Sequence, residues 1–237
     1  MSTPGIAGQR QPRGLVVDDA AEQLNLVSAL LSKEGFDVRA AADGEEALRI
    51  ARTHEPDLVV LDLSLPGVDG VEVCRRLRVF SDAYVIMLTS RTEEIDLLVG
   101  LSVGADDYIT KPFSPRELTA RARTLLRRPR DQGRSTRVRQ FGELEVDADA
   151  RIVRIAGQEV ELTRIEFDLL DALTERPRLT YQRAVLLERV WGTNWFGDSH
   201  VVDVHMANLR AKLGDDSRRP RYIKTVRGIG YRMVGAG

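Results

Sequence analysis

Cysteine is nearly absent from this sequence: Cys74 is the only one in 237 residues, so no internal disulfide can form. The ordinary role of such a residue is that of a small buried apolar side chain. No apolar run approaches the roughly 20 residues that cross a bilayer, and residues 1–13 lack the apolar core of a signal peptide. We therefore expect a cytoplasmic protein without a membrane partner, beginning with a disordered extension over residues 1–13.

An overall excess of charge is also missing, since 35 Lys and Arg oppose 36 Asp and Glu. The two halves differ, because residues 1–126 carry 14 basic and 20 acidic side chains, whereas the remainder carries 21 and 16. Between them, residues 127–135 contain Pro and Gly but no hydrophobic side chain, which is typical of a linker. The length favours two domains, which we place at 14–128 and 139–237, joined by a linker over 129–138.

Short β-branched and aliphatic runs alternate with segments of helical period in the first half, which predicts an α/β domain with a doubly wound parallel sheet. Polar residues close or follow these runs. Because right-handed crossovers bring the carboxyl ends of parallel strands to one edge, we expect the polar side chains to meet there. They are Asp18, Asp19, Asp62, Thr89 and Lys111.

These residue types predict a phosphoryl site. Three carboxylates in one crevice repel each other unless a hard divalent cation lies among them, and Mg²⁺ accepts carboxylate and phosphate oxygens. Asp62 ends a strand and enters a loop, so we take it as the nucleophile that accepts a phosphoryl group. Asp19 would bind the metal directly and Asp18 through water, while the backbone carbonyl of Ser64 offers a further oxygen.

A lysine and a hydroxyl complete this site. Lys111 would pair with the phosphoryl oxygens, and the Thr89 hydroxyl would follow them inward. That movement would vacate space into which the Tyr108 ring could turn, so Thr89 and Tyr108 are the predicted switch residues. The alternative for Tyr108 is a strand aromatic that packs in the core.

Three segments resemble the receiver domain of two-component response regulators: Leu61–Gly70, Met87–Ser90 and Gly104–Phe113. The resemblance covers residues 14 to about 128. It implies a five-stranded, flavodoxin-like parallel sheet and a cis peptide between Lys111 and Pro112, which a following proline permits.

The second half combines short strand-like pieces with helical segments. Thr163 and Glu166 have the spacing of a capping box, and helical patterns follow over Arg183–Val190 and His200–Leu213. A glycine-containing hairpin closes the pattern, which predicts an α+β winged helix-turn-helix domain. Segments within residues 139–234 resemble the effector domain of the OmpR/PhoB subfamily; they include Val190–Gly192, Val202–His205 and Leu209–Leu213.

A receiver followed by a winged helix is similar to a transcription regulator and not to an enzyme. The resemblance implies that a sensor histidine kinase phosphorylates Asp62 and that the receiver then forms a homodimer. The effector would bind promoter DNA, at tandem half-sites, and contact RNA polymerase.

The last effector helix has two faces at about 100° per residue. One is an apolar stripe that predicts core packing: Val202, Met206, Leu209 and Leu213. The opposite face predicts DNA contact and comprises Val201, His205, Asn208 and Lys212, with His200 beside it. Asn208 can bond N6 and N7 of adenine, Val201 can meet a thymine methyl group, and Lys212 suits a phosphate. On the hairpin, Thr225 and Arg227 would contact the DNA backbone and minor groove, next to Tyr231.

The resemblance also implies a dimer interface over the last two receiver helices and the strand between them, with ion pairs. The candidates are Asp106, Asp107, Arg121 and Arg123. Leu97 and Val99 stand where relatives usually carry basic residues, which favours an apolar contribution to dimerisation. The alternative is that both side chains pack onto neighbouring loops.

Two aromatic residues, Trp195 and Phe196, lie in a turn between the second and third effector helices. Exposed aromatics often anchor interfaces, so we predict that they contact RNA polymerase. The alternative is that both rings fold back onto the effector core.

Three other classes of protein are alternatives. A haloacid dehalogenase needs a second carboxylate two residues after its nucleophile, where this sequence has Ser64. A dinucleotide-binding domain needs a glycine-rich turn after the first strand, where this sequence has Asp18 and Asp19. The third class, a DNA-binding protein that works without phosphorylation, stays open, although nothing in the acidic pocket is degraded.

Overall fold

The computed structural model describes residues 10–90, 103–126, 138–192 and 199–234. The described residues between 13 and 126, the N-terminal unit, contain a five-stranded parallel sheet in the order β2-β1-β3-β4-β5. Its described elements are β1 Arg13–Val17, α1 Ala21–Lys33, β2 Asp37–Ala41, α2 Gly44–His54, β3 Leu58–Asp62, α3 Gly70–Arg78, β4 Tyr84–Ser90, β5 Asp107–Lys111 and α4 Pro115–Leu126.

The central strands are almost entirely buried, as expected for a parallel sheet covered by helices. Every residue of β3 is buried, and so are the first six of β4. Asp43 and Asp69 begin α2 and α3, because their side chains accept hydrogen bonds from backbone N–H groups three residues later. Because these strands are parallel, the polar side chains at the carboxyl ends of β1, β3, β4 and β5 lie at one edge of the sheet.

The edge strand β2 carries no apolar run that would identify it in the sequence. Of its five residues only Ala41 is buried, because β2 pairs with β1 alone. An edge strand needs fewer apolar side chains than a central one.

Residues 138–234, the C-terminal unit, combine two antiparallel sheets with three described helices. The elements are β6 Arg139–Phe141, β7 Leu144–Asp147, β8 Ile152–Ile155, β9 Gln158–Glu159, α5 Arg164–Glu175, β10 Tyr181–Gln182, α6 Arg183–Trp191, α7 His200–Leu213, β11 Ile223–Val226 and β12 Gly230–Met233. The predicted winged helix-turn-helix is confirmed. Strand β9 is short, since only Gln158 and Glu159 are aligned with β8.

The prediction for Cys74 is also confirmed. Cys74 is fully buried, and burial raises the pKa of its thiol to about 11, so the thiolate is disfavoured. Within the described ranges, no helix combines the length and apolarity needed to cross a membrane.

The predicted capping box joins α5 to α7. The Glu166 carboxylate accepts hydrogen bonds from the Thr163 amide and from the Lys212 ammonium, both at 2.7 Å, and Glu166 is 1% exposed.

We expect Glu166→Ala to lower the free energy of unfolding by about 1–3 kcal/mol, because the buried Thr163 amide and the Lys212 ammonium lose their acceptor. Urea denaturation measures the change. Glu159→Ala, at an exposed strand end, is the control and should change stability by less than about 0.5 kcal/mol. Equal effects of the two substitutions would contradict this role for Glu166.

Candidate functional site

The carboxyl ends of β1 and β3 bring three carboxylates together. Oxygens of Asp18, Asp19 and Asp62 lie within 4.8 Å of one another. Asp18 is fully buried and Asp62 nearly so, whereas Asp19 is exposed. Asp18 is oriented by the Ala20 amide, which donates to one of its oxygens at 2.9 Å. Hard oxygen ligands at this spacing suit a divalent cation such as Mg²⁺.

Lys111 reaches the same cluster from the end of β5. Its ammonium lies 2.9 Å from Asp62 and 3.2 Å from Asp18. The predicted cis peptide between Lys111 and Pro112 is confirmed. One ammonium cannot neutralise three carboxylates, so the pocket keeps a negative charge that a metal ion would balance.

The electrostatics of Asp62 reflect this crowding. Burial raises the pKa of its carboxyl group above the ordinary value, and the charge of Asp18 adds to the increase; Lys111 opposes both effects. A cation beside Asp62 would favour the ionised form that a nucleophile requires.

A glycine allows the Asp62 loop to pass close to helix α3. A Cβ atom at Gly70 would lie 2.2 Å from the Asp62 carbonyl oxygen and 2.8 Å from the Leu63 Cα, closer than real atoms approach. The helix can therefore begin against the loop only with glycine at this position. Ser64, in the same loop, is exposed.

The predicted switch residues lie beside this pocket on neighbouring strands. Thr89 is buried, and its hydroxyl donates to the Ser90 carbonyl at 3.2 Å. Tyr108 is half-buried and is aligned with Met87 across β4 and β5. Their movement upon phosphorylation stays a prediction.

On helix α7, the predicted core stripe is confirmed, because Val202, Met206, Leu209 and Leu213 are all buried. The opposite face differs from the prediction. Val201 and His205 are each 1% exposed. The His205 ring lies 5.5 Å from the Trp191 ring, between centroids, and the Trp191 indole N–H donates to the backbone carbonyl of Asp106 at 3.0 Å. The N-terminal unit thus covers part of the face predicted for DNA.

Other residues predicted for DNA contact are engaged within the C-terminal unit. Lys212 pairs with Glu166, as described above. Tyr231 is buried and donates its hydroxyl hydrogen to Asp203 at 2.6 Å, so its contact with DNA stays a prediction. The Thr225 hydroxyl accepts from Arg210 at 2.8 Å. Of the other residues predicted to contact DNA, His200 and Arg227 are exposed and Asn208 is half-buried.

The charged residues predicted for a dimer interface pair within one chain instead. Asp106 binds Arg78 at 2.6 Å, Asp107 binds Arg121 at 2.7 Å, and Arg123 pairs with Glu34. Asp106, Asp107 and Arg121 are buried. Ion pairs between two chains would need these partners to exchange. Leu97, Val99, Trp195 and Phe196 lie outside the described residues.

Two further contacts between the units were not predicted from the sequence. The Arg164 guanidinium donates to Asp82 at 3.2 Å and lies 4.8 Å from the centre of the Tyr84 ring. A Cβ atom at Gly192 would lie 2.8 Å from the Thr124 methyl group, so α4 and the end of α6 approach closely. Nothing in the local pattern around Arg164 distinguishes it from a solvated helix residue.

Known proteins resemble the chain over almost its whole length. The family described as response regulator receiver domain matches residues 15–123, and the family described as transcriptional regulatory protein, C terminal, matches residues 157–233. The DNA-binding response regulator MtrA of Mycobacterium tuberculosis is 46% identical over 220 residues, covering 93% of this chain and 96% of MtrA. The alkaline phosphatase synthesis transcriptional regulatory protein PhoP of Bacillus subtilis is 42% identical over 228 residues, covering 92% and 95%.

Solved structures match as well. A RitR mutant has a TM-score of 0.77 at 28% identity, covering 94% of this chain and 99% of the other. The response regulator DrrB, a Thermotoga maritima OmpR/PhoB homologue, has a TM-score of 0.50 at 34% identity, covering 95% and 100%.

The position of Lys111 predicts opposite effects on metal binding and on phosphotransfer. In Lys111→Met, Mg²⁺ should bind at least as tightly as in the wild type, because the ammonium no longer repels it, whereas phosphorylation by acetyl phosphate should be lost. Calorimetric Mg²⁺ titration and phosphoryl incorporation measure the two effects. Arg116→Met, at an exposed position of α4, is the control. A parallel loss of both activities in Lys111→Met would contradict the assigned role.

Proposed function

The chain belongs to the OmpR/PhoB subfamily of two-component response regulators, and we propose that Asp62 accepts the phosphoryl group that controls its DNA binding. The protein is a phosphorylation-dependent transcription regulator with a receiver followed by a DNA-binding effector. The observation that carries the proposal is the Lys111 ammonium, 2.9 Å from Asp62 at a buried edge lined by acidic residues.

In the proposed reaction, an Asp62 carboxylate oxygen attacks the phosphorus of a phosphohistidine on a sensor histidine kinase. The new O–P bond forms as the P–N bond breaks, and the histidine ring leaves with the electron pair. Lys111 pairs with a phosphoryl oxygen. Asp18, Asp19, Asp62 and the Ser64 carbonyl would hold Mg²⁺, which neutralises the transferring group. The chain is in this view a phosphorylated regulator and not an enzyme that turns over a substrate.

The output depends on helix α7, the recognition helix. In the closed arrangement, defined by the Trp191–Asp106 hydrogen bond and buried His205, the receiver covers part of this helix. Phosphorylation would draw the Thr89 hydroxyl inward and turn the Tyr108 ring, which follows Asp106 by two residues. We propose that this movement weakens the closed contact and frees α7 for promoter DNA.

Once α7 is free, Asn208 reads adenine in the major groove, with His205 and Val201 beside it. Two receivers join and place two effectors on tandem half-sites. We also propose that Trp195 and Phe196 contact RNA polymerase.

Acetyl phosphate with Mg²⁺ tests the phosphoacceptor directly. We expect phosphoryl incorporation into the wild type and none into Asp62→Asn, because an amide nitrogen cannot replace the carboxylate nucleophile. Asp69→Asn, which keeps a capping side chain at the start of α3, is the control and should be labelled normally. Labelling retained in Asp62→Asn would refute the assignment.

The closed arrangement predicts that weakening it increases DNA binding before phosphorylation. Trp191→Phe removes the N–H that bonds Asp106 and keeps an aromatic ring; one hydrogen bond contributes about 0.5–1.5 kcal/mol. We expect promoter affinity of the unphosphorylated protein to rise roughly 2- to 10-fold. Fluorescence anisotropy measures it, with Tyr222→Phe, which removes a buried hydroxyl elsewhere in the effector, as control. Unchanged affinity in Trp191→Phe would argue against closure.

A further inference from the structure

His205 occupies an unusual position for a polar side chain. It lies on the recognition helix, is 1% exposed, and is covered by the Trp191 ring at 5.5 Å. Among the described residues, neither of its ring nitrogens makes a well-aligned hydrogen bond, although the Asp106 backbone lies close enough to interact with the ring. A buried polar group without a well-aligned partner is costly and calls for a functional explanation.

The charged groups around His205 do not stabilise a protonated ring. Arg78 of the receiver and Lys212 of α7 both oppose a positive charge on it. The carboxylates next to these two cations are paired with them: Asp106 with Arg78, and Glu166 with Lys212. The neutral imidazole is therefore the form that fits the closed arrangement.

We propose that the contact of neutral His205 with the receiver is an acid-sensitive latch that holds the closed arrangement. Protonation of the imidazole opens this contact and frees the recognition helix without phosphorylation. This inference rests on the closed resting state of the proposed function. When α7 is exposed, water or a DNA phosphate solvates the imidazolium. Acid thus favours the open form and the DNA-bound form alike.

The direction of the pH effect follows from the two environments. Burial lowers the pKa of His205 in the closed form from 6.5 to about 3; the Asp106 backbone opposes this shift in part, whereas Arg78 and Lys212 add to it. The stabilisation of the closed form by neutral His205 is complete above pH 6.5 and is lost as the pH falls below it. Between pH 7.5 and pH 5.5, the closing equilibrium constant should fall roughly tenfold.

Hydrogen exchange of the Trp191 indole N–H reports on this equilibrium without DNA or phosphodonor, because that N–H bonds Asp106 only in the closed form. The full chain labelled with ¹⁵N is followed by NMR, and the indole resonance is assigned by its absence from Trp191→Phe. Protection is expressed relative to the intrinsic exchange rate at each pH. We expect wild-type protection to fall about tenfold from pH 7.5 to pH 5.5.

His205→Phe is the decisive variant, since it keeps a ring of similar size that cannot be protonated. Its protection should be independent of pH; His205→Gln serves the same purpose if the Phe variant is unstable by circular dichroism. Constant wild-type protection would overturn the latch. The same pH dependence in wild type and His205→Phe would overturn it too and would assign the effect to another group, such as Asp106.

A phosphoryl mimic separates failure of the latch from failure of the proposed function. Beryllofluoride with Mg²⁺ at pH 7.5 should lower indole protection in wild type and in His205→Phe, and leave Asp62→Asn unchanged. If the mimic opens the protein and acid does not, the latch is wrong and the phosphorylation switch stands. If the mimic leaves protection unchanged in the wild type, the proposed release of the recognition helix is wrong.

Discussion

The buried ion pair between Arg78 and Asp106 joins three parts of the receiver. The guanidinium donates to Asp106 at 2.6 Å, to the Gly104 carbonyl at 2.8 Å and to the Ala83 carbonyl, while Asp106 also accepts from the Val85 amide at 2.8 Å. Loss of one partner would leave a buried charge uncompensated, at about 3–5 kcal/mol. The pair therefore holds the end of α3, the start of β4 and the turn before β5 in one arrangement.

The Asp106 region lies between the phosphoryl pocket and the contact with the effector. The side chain of Asp106 faces the receiver interior, whereas its backbone carbonyl meets the effector through Trp191. Strand β5 begins at the next residue and ends at Lys111, so one strand of roughly 13 Å joins the closed contact to the phosphoryl pocket. Tyr108 lies near its start. In the proposed function, a shift of this strand would link phosphorylation of Asp62 to the recognition helix.

Charge complementarity supports the same contact. The acidic excess before residue 127 and the basic excess after it attract each other, and Arg164 meets Asp82 and Tyr84 where the two units touch. DNA offers the basic effector a competing polyanion. In the proposed function, the receiver and DNA compete for overlapping parts of one surface, so small changes at the contact would shift the balance between them.

The sequence by itself determined the receiver pocket, the winged helix, the Thr163 capping box and the apolar stripe of α7. These follow from periodicity within one element, or from polar residues at strand ends that a parallel sheet must bring to one edge. Strand β2 could not be recognised from the sequence, because an edge strand needs few apolar residues. Only the tertiary structure decided that Val201 and His205 are buried, that Asp107 pairs with Arg121 within the chain, and that Trp191 meets Asp106, 85 residues earlier. Contacts between two separately folded surfaces depend on which faces meet, and local patterns carry no information about that choice.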